Sequence, residues 1–592
     1  MWYNIKGCIK MHLYIDNGKY GHKTLYVKKN FRKEDGKTGS KIIERLGRYD
    51  DLLKEHEDPI AWAKEYIAKL NEEEKIQKVK PVTIIYHVQK QIDKGQDVLF
   101  DGGYLFLQKW FYSLGLDKIC RKISRRHDFY FNLTTILSVL VYGRILFPTS
   151  KLGTFEYSKK MLEKYDFELQ DVYRALDIIA EEKDYIQAEL YKNSLKFGKR
   201  NDKILYYDCT NYYFEIEQES GMRKYGRSKE NRPNPIVEMG LFMDGDGVPL
   251  AFCLHDGNIN EQKTLQPLEK QIIQDFGKSE FVVCTDAGLA SAANRRFNDV
   301  GGRAFITVQS LKKMKCFQEE WALEPKGWHL PNEKDLFDLN VVLSDLKLYE
   351  KYKHSIFYKE QWFNENNIEQ RFIVTFSIKY MNYQRMIRNE QIERAKKALS
   401  SSQKAERTRQ SDFKRFITKT NVTENGEIAE EKVYSLNKEK IAEEEKYDGF
   451  YCVATDLMDD AAEIIRINRK RWEIEESFRI MKSEFSARPV YLHKDNRITA
   501  HFTTCFISLM LFRLFEKSLG HKYTVTEIIK NLKEIKFFKS SEGYMPAYTR
   551  TEFTDVLHDV FGTRTDYEII PFSDMKKIFS YSKKSFTYHV SK

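Results

Sequence analysis

Between Asn468 and Phe485 the chain reads N-R-K-R-W-E-I-E-E-S-F-R-I-M-K-S-E-F. Ile467, Ile474, Phe478, Met481 and Phe485 follow i, i+7, i+11, i+14, i+18 spacing. At about 100° per residue these positions share one narrow stripe, so the pattern predicts a single helix with an apolar wall. Arg471, Glu475, Arg479 and Lys482 fall on an adjacent stripe, roughly 80° away. One carboxylate thus lies among cations beside a core-facing wall. Arg471 at i−4 is one way to neutralise it, and a metal ion is another.

Elsewhere the pattern changes in blocks. Residues 1 to about 95 alternate like a small α/β module, with strands at Leu13–Asp16, Lys23–Lys28 and Val82–His87, a turn at Glu34–Lys37 and a charged helix at Ile60–Gln77. Residues 96–200 are helical almost throughout. From 201 to 310 apolar strands dominate: Lys203–Tyr207, Ile236–Met243, Val248–His255, Phe281–Cys284 and Arg303–Val308. Asp244-Gly-Asp-Gly247 marks a hairpin, and helices follow the third and fourth strands. The order β-β-β-α-β-α-β is that of a ribonuclease-H-like core, which also needs a closing helix. Residues 311–446 interrupt with Trp-containing polar segments, short strands and a charged helix from Gln384 to about Arg409. The expectation is an α/β fold: a ribonuclease-H-like catalytic core split by an inserted, mostly β domain. The core resumes over 447–520 with the Asn468–Phe485 helix, and 521–592 forms a helical tail.

At 592 residues, several domains are expected. The net charge of +11 permits a polyanionic partner. In the helical module Arg121, Arg125, Arg126 and Lys151 are candidate phosphate contacts. The eight cysteines include no C-x-x-C pair, which fits neither a zinc site nor a disulfide framework and points to a reducing cytoplasm. There is no signal-peptide pattern, and the apolar stretches Leu133–Phe147 and Phe502–Phe515 fall short of the roughly 18–20 residues a membrane span requires. They are expected as buried helices.

Two acids stand at strand ends: Asp208 before Thr210, and Asp286 before Gly288. With Glu475 on the crossing helix they form three carboxylates on separate elements, a donor set for Mg²⁺. Two such ions about 4 Å apart activate a water or a 3′-hydroxyl for phosphodiester transfer.

Here the chain resembles the bacterial insertion-sequence transposases of the DDE type, in the branch with a Y-x2-R-x3-E-x6-K signature and an inserted β domain. Arg471, Glu475 and Lys482 match that signature, Asn468 replaces its tyrosine, and Asp208-Cys-Thr and Thr-Asp286-Ala-Gly match the first two acidic motifs. The resemblance implies Asp208, Asp286 and Glu475 as a catalytic, metal-binding triad for two Mg²⁺ ions, with Mn²⁺ as a substitute. It implies Arg471 and Lys482 as DNA contacts, with Arg479 grouped beside them. It also implies double-stranded DNA partners (terminal inverted repeats and target), a homodimer in the DNA complex, and a cytoplasmic, nucleoid-associated protein without a membrane. Two alternatives remain: a nuclease of the same fold that does not join strands, and a non-catalytic DNA-binding relative.

Overall fold

Alternating and fully apolar strand runs of the middle region assemble into one eight-stranded mixed sheet in a computed structural model, which describes residues 10–18, 22–32, 38–77, 81–198, 200–331, 333–365, 367–400, 412–422 and 428–586. We number its strands β1 (Ile204–Tyr213), β2 (Ile236–Asp244), β3 (Pro249–Asp256), β4 (Val282–Thr285), β5 (Ala304–Val308), β6 (Phe357–Glu365), β7 (Ile368–Phe376) and β8 (Phe450–Thr455). Their spatial order is β6-β7-β8-β5-β4-β1-β2-β3. β1, β2 and β3 pair antiparallel, β4 lies parallel to both β1 and β5, and β8 pairs antiparallel with β5 and β7.

Each strand sends alternate residues to opposite faces. On one face Tyr206, Tyr212, Met239, Leu241 and Cys284 pack with Ile464, Ile474, Phe478 and the helix Asp495–Ser518. On the other, Leu205, Tyr207, Phe242 and Val283 pack against Tyr191, Leu265, Leu268 and Ile272. Asp495–Ser518 is apolar nearly all round, and a helix of that kind belongs inside a fold. It is long and apolar enough to cross a membrane, but 94% of its apolar window is buried against the rest of the protein. Its closest partners include the helices Leu133–Leu146 and Leu169–Glu181.

The structure departs from the sequence reading in several places. Residues 311–446 do not form a mostly β body: one hairpin, β6 and β7, extends the main sheet, a second pairs Ile417–Val422 with Ile428–Leu436, and among the described residues helices such as Cys316–Leu323 and Ile378–Ser400 outweigh the strands. The apolar residues of β7 require cover on both faces, and pairing with β8 supplies a ladder partner as well. The outer part of the long charged helix, beyond Ser400, lies outside the described residues, as does the Glu34–Lys37 turn. The C-terminal segment is mixed rather than helical, since Lys536–Lys539 and Gly543–Pro546 join a four-stranded sheet with Leu99–Asp101. All of this belongs to one compact unit, Lys94–Lys592.

The other unit, Met1–Asp93, is a three-stranded antiparallel sheet (Met11–Asn17, Lys23–Arg32, Thr38–Arg48) with the helix Pro59–Gln77. The strand Thr38–Arg48 is additional to those the pattern predicts, and Val82–His87 is not a strand. A β-branched run forms a strand only where a neighbour supplies its hydrogen bonds, and among the described residues none does so there.

Candidate active site

β1 and β4 pair parallel through Ile204↔Val282, Leu205↔Val283 and Tyr206↔Cys284. Carrying that register two residues further sets Asp208 level with Asp286, on adjacent strands about 4.8 Å apart. Period two puts both acids on the face of Tyr206 and Cys284. That face carries the signature segment, because the Tyr206 hydroxyl donates to the Ile467 carbonyl at 2.8 Å. Asp286 ends its strand in a tight turn: its Oδ1 accepts from the amides of Gly288 at 3.0 Å and Leu289 at 3.1 Å. Asp208 Oδ1 accepts from the Cys209 amide at 2.8 Å.

The signature segment is not one helix. It comprises α1 (Ala461–Arg469), a tight turn at Lys470–Arg471, α2 (Trp472–Arg479) and a π-helical turn over Ile480–Glu484. The predicted apolar stripe is intact, with Ile467, Ile474, Phe478, Met481 and Phe485 all buried. The π turn closes with the Phe485 amide on the Ile480 carbonyl at 2.9 Å. Such a turn inserts one residue and rotates the residues beyond it by about 100°. The polar stripe is split at this turn. Arg479 points outward and pairs with Glu476 at 2.6 Å, whereas Lys482 is turned inward, 3.4 Å from Glu230 and over the Tyr212 ring.

Arg471 is the common neighbour of the three acids. It pairs with Glu475 at 3.6 Å. Burial pulls its pKa down, but the charges of Tyr451, Asp208, Asp286 and Glu475 outweigh burial and the net shift is upward. The Asp208 carboxyl is pushed up to about 6, first by burial; Lys229 opposes this, the Asp286 charge adds to it, and Arg471 opposes it again. Glu475 remains 61% exposed. Among the described residues, Asp208, Asp286 and Glu475 do not bring ligand atoms within 4.8 Å of one another; Asp555, His558 and Asp566 do, and the two acids of that group are already paired with Arg550 and Arg564. At position 468 the Asn468 amide donates to the Tyr451 hydroxyl at 3.1 Å, so a phenol from β8 stands beside the site.

The sequence reading missed a second group of ionisable residues. Lys229 pairs with Glu261 at 3.0 Å, and Glu238, buried on β2, has an Oε1 with no hydrogen-bond partner. Burial, then the Glu261 charge, push Glu238 up to about 8. Lys482 is pushed down to about 8 by burial and by Lys229. In the sequence Lys229 sits in a polar run, S-K-E-N-R-P, that reads only as a loop.

In the helical segment, Lys151 is not a surface cation. Its side chain is buried, and burial together with the Arg144 charge lowers its pKa to about 7. The packed chain covers its ammonium despite the desolvation cost, so it is withdrawn as a phosphate contact. Arg121 pairs with Asp117, Arg126 pairs with Glu182 at 2.6 Å and stacks on Tyr185, and Arg125 is exposed.

Residues 214–511, half of the chain, match the family model described as "Transposase DDE domain". The chain belongs to the DDE transposases. Asp286 and Glu475 fall inside the matched span of this transposase, and Asp208 lies six residues before it. Among solved structures, the piggyBac transposase synaptic complex with hairpin DNA is similar at 7% identity and a TM-score of 0.35, over 83% of this chain and 86% of that one. The Mos1 transposase paired-end complex with left transposon end is similar at 12% identity and a TM-score of 0.12, over 29% and 57%. No curated protein matches the transposase.

DDE transposases use divalent metal ions, and the residues here fit one. The donors are all oxygens, and Asp208 and Asp286 stand close enough for one charge to oppose ionisation of the other. With Asp208 as a ligand, a proton on it would compete with such an ion. In the DNA-free protein, Mn²⁺ affinity is therefore expected to hold steady above about pH 7 and to fall by up to roughly tenfold per pH unit below about 6. A titration from about pH 8 to 5 checks this; a flat profile would remove Asp208 from the ligand set.

Proposed function

We propose that this transposase binds the ends of its own mobile element, cleaves them and joins them to target DNA by Mg²⁺-dependent phosphodiester transfer, acting as a homodimer on double-stranded DNA. The reading is supported by the parallel register of β1 and β4, which carried two residues further sets Asp208 beside Asp286, and by Arg471, on which Asp208, Asp286 and Glu475 all act. The order β3-β2-β1-β4-β5, antiparallel for three strands and parallel for the last two, supports a ribonuclease-H-like core into which residues 311–446 are inserted.

Asp208, Asp286 and Glu475 would hold the metal, two Mg²⁺ ions or Mn²⁺ in their place. The bound ions supply activation of the attacking oxygen and stabilisation of the leaving oxygen. Arg471, held between Tyr451 and the acids, aims its guanidinium at a phosphate next to the triad. Lys482 lies about two turns beyond Glu475 along the segment and reaches a neighbouring phosphate. Its depressed pKa favours gripping an anion, because a phosphate restores charge compensation to a partly buried ammonium.

The test uses DNA carrying the inverted repeats that flank the gene. Wild-type protein with Mg²⁺ should nick these ends and join them to a second duplex. Products that are cut but never joined would favour a nuclease, and end binding without cleavage a non-catalytic relative. Lys482→Ala is expected to remain folded and lose strand transfer by roughly tenfold to a hundredfold, the scale of one or two lost charge-assisted contacts. Wild-type strand transfer by a soluble Lys482→Ala protein would remove this residue from the DNA path.

A further inference from the structure

The chain leaving the π turn is held by buried side chains from two other helices. Arg144, on the helix Leu133–Leu146, donates from Nη1 to the carbonyls of Phe485 at 3.0 Å and Ser486 at 3.2 Å, and from Nη2 to the carbonyl of Thr149 at 3.2 Å. His501, on the helix Asp495–Ser518, meets the Ala487 carbonyl with Nε2 at 3.0 Å. A carbonyl oxygen only accepts, so Nε2 carries the proton. Burial, then the Arg144 and Lys151 charges, hold the imidazole well below its usual pKa and keep it neutral. Three consecutive carbonyls, of Phe485, Ser486 and Ala487, are thus each taken by a distant side chain. Arg144 and His501 are both only 4% exposed.

A buried guanidinium is costly unless negative potential meets it. Arg144 spends its Nη groups on carbonyls, and its buried Nε has no hydrogen-bond partner. The end of a helix supplies such potential, because its last carbonyls lack amide partners and carry the negative end of the dipole. α2 and the π turn end where Arg144 binds. Ser486, just beyond, has φ of +43°, a left-handed conformation in which glycine is the usual residue. A side chain in that region persists where its surroundings hold it there.

We propose that Arg144 and His501 are positioning residues for Lys482: by fixing the exit of the π turn they set the direction of its ammonium. This rests on the reading of Lys482 as a phosphate contact. Lys482 stands in the middle of Ile480–Glu484. The carbonyls of Ile480 and Met481, just before it, accept the amides of Phe485 and Ala487, both at 2.9 Å. The same two residues carry anchored carbonyls, so a shift of the exit is passed back to the backbone that bears Lys482. Arg144 and His501 are themselves buried and do not reach DNA.

The experiment follows binding of the full chain to the inverted-repeat DNA over a salt series, with strand transfer measured beside it. One phosphate contact contributes about 0.9 to the slope of log affinity against log salt. Lys482→Ala should make the slope less steep by about that amount, and Arg144→Met should do the same from inside the fold. Adding Lys482→Ala to Arg144→Met should change neither the slope nor strand transfer further, since one contact is lost only once. A merely structural Arg144 would instead reduce the share of folded protein, leave the slope as in wild type, and multiply its loss of strand transfer with that of Lys482→Ala. His501→Leu frees a single carbonyl and is the second variant should Arg144→Met fail to fold; its slope should move in the same direction. A wild-type slope in either folded variant, or losses that multiply, overturns the positioning role while Lys482→Ala still shows its own shallower slope. A wild-type slope in Lys482→Ala removes that lysine from the DNA path, and this proposal falls with it.

Discussion

Asp286→Asn is expected to abolish end cleavage while leaving binding to the inverted-repeat DNA close to wild type. The substitution is isosteric. Asn retains the Oδ1 acceptor that takes the Gly288 and Leu289 amides, so the turn after β4 survives. What is lost is one anionic oxygen facing Asp208 across the β1–β4 pair. A metal ion contributes several kcal/mol of charge stabilisation at the reacting phosphate, so cleavage should fall by at least roughly a thousandfold. Removal of a negative charge beside DNA leaves binding equal or slightly tighter. Gel shift and cleavage on the same DNA report both quantities. Parallel losses in the two assays would mean that Asp286 serves the turn and not the chemistry.

The largest stability effect is expected at Arg200, well away from the triad. Its guanidinium pairs with Asp244 at the end of β2, and it also reaches the Ser194 hydroxyl at 2.7 Å and the carbonyls of Val248 and Pro249 at 2.9 and 3.1 Å. Both members of the pair are buried, with 5% and 0% of their side chains exposed. Arg200→Ala strands a carboxylate in the interior, a loss of about 3–5 kcal/mol. The hairpin of β2 and β3 should open first, since Asp244 also organises its turn by accepting the Asp246 and Val248 amides. Hydrogen exchange over residues 236–256 is the measurement. Adding Asp244→Asn to Arg200→Ala should recover part of the loss, because the uncompensated charge is then gone. Protection within about 1 kcal/mol of wild type in the single variant would show that the pair is not needed.

Arg200 also shows where local pattern stops being informative. The hairpin Asp244-Gly-Asp-Gly247 is readable because turn residues act on their own neighbours. The arginine that holds it lies 44 positions earlier, and nothing local distinguishes it from a surface cation. The same holds in reverse for Lys151, which sits in a basic stretch and reads as exposed until the helices around it close over it.

Local pattern alone specifies the five strands from β1 to β5, Asp286 at the end of β4, the apolar wall of the signature segment and the pairing of Arg471 with Glu475; it ends β1 at Tyr207 and so sets Asp208 at a strand end, whereas β1 runs on to Tyr213 and Asp208 lies mid-strand. These features depend on periods of two and about 3.6 and on contacts within a few residues, and such information is local. Long-range packing sets the register that levels Asp208 with Asp286, the addition of β6 and β7 to the main sheet, the π turn that separates Lys482 from Arg479, and the delivery of Lys229 to the acidic cluster. Each of these depends on which distant segment satisfies a buried charge or a strand's unpaired hydrogen bonds. That choice is made by the whole packed chain and leaves no mark at the residues themselves.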